Sequence, residues 1–469
     1  VATSDWQWNP ADSGSDWGYE LGRAQRGQTK RITGVRDTPL PAFDRDEDII
    51  LPLAKGVGSN AIRVSFDFGK LCPQPGVFRE DVMARYVHLL ARCHVLGMEP
   101  IATLHHWTMP KSFATFDAAG HIVQGPLEHL RIVEHFQFYA RNVAAWLFDA
   151  DRIRSALVRD GIDEAVIRRL TEERRPVSWF ISLNEPVNML FTPYFLGLFP
   201  PYQRGRLLKI ERLKQHLRSM HALAYDALHE AAAKAGADAW VGMAHHVTSG
   251  WMPFYERFAN WGLLEAMERD AKSDFIGIQH YHRLQLGLWW KKPFLTRRGF
   301  DPRYWSDDPS FGQIHPAGIH HLLMKAARRF PKKPLLLSEF GFADRKDEKR
   351  PEWILDAVEQ IIRAKNEGAD LRGALLWSLT DNFEWNLGMD VPFGLFDRGG
   401  HRLQTDDARE GHVSSREAWT LAAKHLAHPT PETAAALLAL RERTHEQLNR
   451  SILKIPEALV RDLDITRAA

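Results

Sequence analysis

Two glutamates stand at the ends of apolar runs in this chain: Glu185 follows Trp179-Phe-Ile181 through Ser182-Leu-Asn184, and Glu339 follows Leu335-Leu-Leu337 through Ser338. Such a pair can cleave an acetal linkage, one carboxylic acid protonating the leaving oxygen while the second carboxylate attacks the anomeric carbon or activates water. Either glutamate alone could equally be a strand-end residue paired with an arginine. Three further segments end in groups able to bind hydroxyls or carry protons: Leu104-His-His106-Trp107, Ile278-Gln279-His-Tyr281, and Trp377-Ser-Leu-Thr-Asp-Asn-Phe-Glu384-Trp385.

These residues need a scaffold that brings five strand ends together. Eight short β-branched or aliphatic runs, at 2–6, 60–65, 99–104, 177–183, 239–244, 274–279, 334–338 and 373–379, alternate with amphipathic helical stretches. That is the pattern of repeated βα units around a buried parallel sheet. The expected fold class is therefore α/β, a single (β/α)8 TIM barrel, whose site lies at the carboxyl ends of the strands. In the clearest helix Val82, Tyr86, Leu89, Leu90, Cys93 and Leu96 share one apolar face, and Gly97 stops it. The charge-rich segment 149–175 reads as a helical insertion in the third unit. A closing helix over 415–428, the turn Pro429-Thr-Pro431 and a second helical stretch over 432–447 follow. The expected division is a catalytic barrel, 1–428, and a helical C-terminal extension, 429–469. The extension suits a packing helix, a cap on the barrel floor, a cover over the mouth or a contact in a homo-oligomer.

Composition narrows the class of partner. With 44% hydrophobic and 26% charged residues, and no apolar run approaching the ~18 residues of a membrane span, no membrane span is expected. The 61 basic and 59 acidic residues give a formal net charge of +2, so no overall field favours nucleic acid. A neutral or small substrate fits better, and the 16 Trp, each singly a core residue, modestly favour a carbohydrate, for whose rings their faces suit. Cys72 and Cys93 read as ordinary buried thiols. Val1-Ala-Thr-Ser shows no signal peptide, so the expected compartment is cytoplasmic, although the initiator Met is absent. The pairs His105-His106, His245-His246, His280-x-His282 and His320-His321 lack accompanying ligands at metal spacing. On a strand Gln279 and Tyr281 share one face, leaving His280 and His282 on the other. No metal and no cofactor are expected.

As an ordered set, these segments resemble glycoside hydrolase family 1 over nearly all of residues 1–427. Ser182-Leu-Asn-Glu-Pro186 is similar to the family's Thr-x-Asn-Glu-Pro motif, and Leu337-Ser-Glu-Phe-Gly341 resembles its Thr-Glu-Asn-Gly motif. Ala2-Thr-Ser-x-x-Gln7, Arg63-Val-Ser-Phe, Thr103-Leu-His-His-Trp-Thr-Met-Pro110, Gly197-Leu-Phe-Pro-Pro201, Asp274-Phe-Ile-Gly-x-x-x-Tyr281, Trp377-Ser-Leu-x-Asp-Asn-Phe-Glu-Trp385 and Phe393-Gly-Leu395 follow the same order.

The resemblance implies a retaining β-glycosidase acting on terminal non-reducing β-D-glycosides, with Glu339 as nucleophile and Glu185 as general acid/base. It implies that Arg63 and Tyr281 support the nucleophile. Gln7, His106, Trp107, Asn184, Tyr281, Glu384, Trp385 and Phe393 would bind the sugar over Trp377. Glucoside, galactoside and fucoside configurations are all compatible. The sequence departs from the family at Asn9, Gln279, Phe340 and Gly312-Gln313, which bears on substrate preference, and the loop between the fifth and seventh strands is short. A phosphoglycosidase would place Ser, Lys and Tyr after the Glu-Trp pair, where Asn386-Leu-Gly-Met-Asp390 stands. Transglycosylation by the same carboxylates and a non-catalytic glycan-binding pseudoenzyme are the remaining alternatives.

Overall fold

The computed structural model describes residues 1–8, 14–35, 43–249, 256–270, 272–281, 302–307, 314–397 and 411–452. Asn9, His282, Gly312 and Gln313 lie outside these, as does part of the segment between the expected fifth and seventh strands. Seven parallel strands pair in chain order: β1 (Ala61–Ser65), β2 (Glu99–Thr103), β3 (Trp179–Asn184), β4 (Trp240–His246), β5 (Phe275–His280), β6 (Leu335–Phe340) and β7 (Leu371–Leu376). Helices including Glu80–Val95, Ile132–Phe148, Leu207–Lys234, Ala317–Arg329 and Arg350–Asn366 surround them. The fold is an α/β TIM barrel.

The eighth place is filled by less than a strand, which corrects the expected strand over 2–6. Ala2 N–H donates to Leu376 O at 3.0 Å, while Arg63 N–H donates to Val1 O and Thr3 N–H to Arg63 O. Val1–Thr3 thus joins β7 to β1, with Ala2 and Arg63 forming an isolated bridge. The chain then coils into the helical turn Asp5–Trp8. Asp5 accepts hydrogen bonds from Lys70 at 2.6 Å and Tyr86 at 2.9 Å, an ion-pair anchor that draws the backbone out of the sheet.

Side chains divide into an inner set, including Ile101, Ile181, Phe275, Leu336, Leu375 and Trp377, and an outer set packed under the helices. Regular alternation accounts for β5, where Phe275 and Tyr281 are inner and Ile276 and Ile278 outer. It fails on the two glutamate-bearing strands. On β6 Leu336 is inner and Leu337 outer, so strict alternation would aim Ser338 inward and Glu339 outward. Instead Ile278 opposes Leu337 while Gln279 opposes Glu339, and Leu337 opposes Ala374 while Phe340 opposes Leu376. β6 therefore carries one extra residue against both neighbours, a bulge that re-aims the side chain after it. On β3 the register slips in the same way between Ile181 and Asn184, opposite Gly242 and Ala244.

The insertion folds as helices Ala150–Arg159 and Glu164–Arg168 with a further turn to Glu173. Gly97, at φ 67°, ends helix Glu80–Val95 in the left-handed conformation that glycine tolerates. The last helix, Pro431–Ile452, lies against the barrel wall: Arg441 donates to Asp356 and Glu359, Thr444 to Glu352, and Gln447 to Val413 O at 3.1 Å. No helix among the described residues is long and apolar enough to cross a membrane.

Candidate active site

The inward turn of Glu339 brings it to a fully buried arginine. Arg63 on β1 donates to Oε1 of Glu339, to Asn184 Oδ1 at 2.6 Å and to Thr103 Oγ1 at 2.7 Å. Tyr281, just beyond β5, donates to Oε2 of Glu339 at 2.7 Å. Both carboxylate oxygens are thus held by donors that favour the ionised form.

Glu185 has different surroundings. It follows β3 with φ 46°, a left-handed backbone uncommon outside glycine, fixed by its N–H donating to Ala244 O at 2.7 Å. Its carboxyl accepts from Asn188 Nδ2 at 3.1 Å. Burial pushes Glu185 up to about 8; the Glu339 charge adds to the rise, while Asn188 and Arg63 oppose it. Burial also raises Glu339, against the pull of Arg63 and Tyr281. Glu339 is the stronger acid of the two, because a neutral carboxyl there would leave the buried Arg63 guanidinium without its counter-charge.

Around the pair, Asn184 is held by four groups. Its Oδ1 accepts from Arg63 and from Gln279 Nε2 at 2.7 Å, and its Nδ2 faces His106 Nε2 at 3.1 Å. Its carbonyl accepts from Trp107 Nε1, also at 3.1 Å. An amide nitrogen only donates, so His106 Nε2 accepts and its Nδ1–H points to Ser65 Oγ, 3.1 Å away. Burial first, then Arg63 and His105, hold the His106 ring well below its usual range, so the imidazole is neutral.

A second cluster surrounds Glu384. Trp377 Nε1 and Asn382 Nδ2 donate to Oε1 at 3.1 and 2.7 Å, and Gln7 Nε2 donates to Oε2 at 3.3 Å. Trp385 packs against Trp107 at 4.7 Å and Trp17 at 4.8 Å between ring centroids, and Phe199 packs on Trp107 at 5.3 Å. Trp107 and Trp385 adopt φ 71° and 51°. Positive φ thus recurs at these two residues as at Glu185, as it does where surrounding structure holds a functional geometry. Phe393 is buried and meets Tyr281 edge to face at 6.1 Å.

The structure brings together all the residues singled out from the sequence: Glu185, Glu339, Arg63, Asn184, His106, Trp107, Tyr281 and Phe393 around the carboxylates, with Gln7, Trp377, Glu384 and Trp385 alongside. Of the departures, Gln279 bonds Asn184. Phe340 points out of the barrel, packed at 6.0 Å from both Trp353 and Trp419, so its side chain does not line the pocket. The reason is the bulge before Glu339. His280 bonds Val247 O at 3.1 Å and packs against Gly318, where a Cβ would collide with its ring. It points away from Tyr281, as alternation requires. His105 lies in the outer core beside Phe68 and Phe136. Cys72 and Cys93 are buried free thiols. No group of three His, Cys, Asp or Glu side chains among the described residues could hold a metal ion.

Sequence reasoning assigned no site role to Asn188, His246 or Asn382. Asn188 Nδ2 reaches His246 Nδ1 at 2.8 Å as well as Glu185. β4 runs to His246, two residues beyond the expected end, which carries this histidine to the carboxyl rim. The one available signal was the position of Asn188, three residues after Glu185.

The model of glycosyl hydrolase family 1 matches residues 42–155 and 270–409, more than half of the chain; Glu339 lies within the match and Glu185 between its two segments. A β-galactosidase of Sulfolobus acidocaldarius is 24% identical, covering 82% of this chain and 85% of its own. A 6-phospho-β-galactosidase of Staphylococcus haemolyticus is 21% identical, over 76% and 84%. Among solved structures, the β-glycosidase of Thermosphaera aggregans shares the fold with a TM-score of 0.73 at 20% identity, over 94% of this chain and 97% of that one. With this barrel, these strand-end carboxylates and this match, the chain belongs to glycosyl hydrolase family 1 and is a glycoside hydrolase.

Proposed function

We propose that the enzyme is a retaining β-glycosidase that removes terminal non-reducing β-D-glycosyl groups by double displacement. Glu339 attacks the anomeric carbon while Glu185 passes its proton to the departing oxygen, leaving a glycosyl ester on Glu339. Water then attacks the same carbon, Glu185 takes the water proton, and the ester bond to Glu339 breaks. The observation carrying this reading is the unequal setting of the two carboxyls: the Arg63 guanidinium and the Tyr281 hydroxyl on Glu339, the neutral Asn188 amide on Glu185. Once Glu339 is esterified its charge is gone, and Glu185 can ionise and act as base.

The relatives named for β-galactosides support the β configuration. Gln7, His106, Asn184, Glu384 and Trp385 supply paired hydrogen-bonding groups compatible with gluco, galacto and fuco configurations, and a panel of aryl β-glycosides would rank them. Glu384, a carboxylate, disfavours the phosphorylated sugars for which other relatives are named. We read 429–469 as an extension beyond the catalytic barrel, 1–428, with its helix Pro431–Ile452 set against that barrel.

The test is to trap the intermediate. After inactivation with a 2-deoxy-2-fluoro β-glycoside bearing a good leaving group, the added mass is expected on the peptide containing Glu339. Attachment at Glu185, or release of a first-formed product of inverted configuration, would overturn the proposal.

A further inference from the structure

Asn188 opens the short helix Asn188–Phe191, one turn after Glu185, and both protons of its amide nitrogen have acceptors. One goes to Glu185 Oε2 at 3.1 Å and the other to His246 Nδ1 at 2.8 Å. His246 is buried at the end of β4 and meets Tyr281 edge-on at 6.0 Å. Tyr281 in turn holds Glu339. A chain of contacts therefore runs from the Glu185 carboxyl through Asn188, His246 and Tyr281 to Glu339.

We infer that Asn188 and His246 form a positioning pair that sets the charge preference of Glu185, Asn188 donating to its carboxylate and His246 locking the Asn188 amide in the donating orientation. This rests on the proposed role of Glu185 as acid/base. Because an amide nitrogen only donates, His246 Nδ1 accepts, so the ring is neutral with its proton on Nε2. A protonated ring would have no lone pair to offer; the amide would turn over and present its oxygen to Glu185, repelling the carboxylate. Among the described residues, the other charged or titratable groups acting on Glu185 are Glu339 from β6, Arg63 from β1 and Tyr281 from beyond β5. Glu339 works against ionisation of Glu185 and Arg63 for it; Asn188 is the neutral donor beside them.

A donor that favours the carboxylate lowers the titration of Glu185 both in the free enzyme, where it must be an acid, and in the glycosyl-enzyme, where it must be a base. Removing that donor should raise both. In Asn188→Ala, the basic limb of kcat/KM should move up by about one pH unit, the size expected for loss of a hydrogen bond to a charged group. The acid limb of kcat, on a substrate whose deglycosylation is rate-limiting, should move up by a similar amount. His246→Leu should move both limbs the same way, and His246→Asn, which keeps an acceptor near the Nδ1 position, should restore them. Both limbs staying at their wild-type pH in Asn188→Ala, or equal profiles for His246→Leu and His246→Asn, would overturn the inference. The underlying assignment is separable: Glu185→Gln should abolish the basic limb, and its persistence would overturn the role of Glu185 itself.

Discussion

The Tyr281 hydroxyl donates to Oε2 of Glu339 at 2.7 Å, on the carboxylate whose other oxygen is taken by Arg63. The phenol therefore favours the ionised form of Glu339, the proposed nucleophile, and restrains its rotation. Tyr281→Phe removes that donor without opening space for water. We expect glycosylation to slow by about 10- to 100-fold, the effect of about 1.4–2.7 kcal/mol on a barrier. Losing a donor to the charged form raises the pKa of Glu339, so the acid limb of kcat/KM should move to higher pH. An unchanged acid limb in the phenylalanine variant would show that Arg63 alone sets the charge.

A second site governs stability. Arg350 is 2% exposed; it pairs with Asp347 at 2.8 Å, and donates to Ser415 Oγ at 2.8 Å and Pro392 O at 3.2 Å. It ties the loop after β6 to the segment carrying Phe393. Arg350→Ala leaves the buried Asp347 charge uncompensated, which costs roughly 3–5 kcal/mol. Urea unfolding should report a loss in that range, whereas a loss below about 1 kcal/mol would mean water enters and solvates Asp347.

Much of this was legible in the sequence because the barrel repeats simple signals. The runs before Glu185 and Glu339 are short and aliphatic, and turn chemistry such as Gly97 separates helix from strand. Alternation on β5 correctly set Tyr281 against His280, since that strand has no bulge before its end. The same rule applied from Leu336 would have turned Glu339 outward; the extra residue on β6 is a property of register against two neighbours, which a single strand does not encode. The strand over 2–6 failed for a comparable reason: Asp5 is committed to Lys70 and Tyr86, distant partners. His246 was weighed only as one of a histidine pair and given no site role, because a histidine at a strand end reads the same whether it faces core or pocket.

Asp16 gives a pH-dependent test of stability. Its Oδ1 accepts from the N–H groups of Trp17 and Met109 at 2.9 and 3.0 Å, and burial pushes it up to about 7 against those two bonds. The unfolded value is about 3.9. Between the two the native chain keeps a proton that the unfolded chain releases, so this residue's contribution weakens as pH rises from about 4 towards 7. Asp16→Asn keeps the accepting carbonyl and loses the titration. The thermal midpoint of the wild type should therefore fall relative to the Asn variant between pH 5 and 7.5, and parallel midpoints across that interval would contradict the raised value.

The two carboxylates can be told apart by what an external anion does in place of each. Glu339→Gly should lose nearly all turnover, because no glycosyl ester can form, yet azide or formate can occupy the vacated space and attack the anomeric carbon directly. One displacement inverts the centre, so azide should give the α-glycosyl azide. Glu185→Ala leaves the nucleophile in place. A substrate with a good leaving group needs little acid assistance and still glycosylates Glu339, so the second step becomes limiting. Azide entering beside the missing carboxylate then attacks the ester from the opposite face, and two inversions give the β-glycosyl azide. Aryl glycosides with poor leaving groups should lose far more activity in Glu185→Ala than activated ones. The configuration is read from the anomeric proton coupling of each product. If Glu339→Gly gave the β azide and Glu185→Ala the α azide, the roles would be exchanged. The unequal settings of the two groups, Arg63 and Tyr281 around one and Asn188 beside the other, would then need a different explanation.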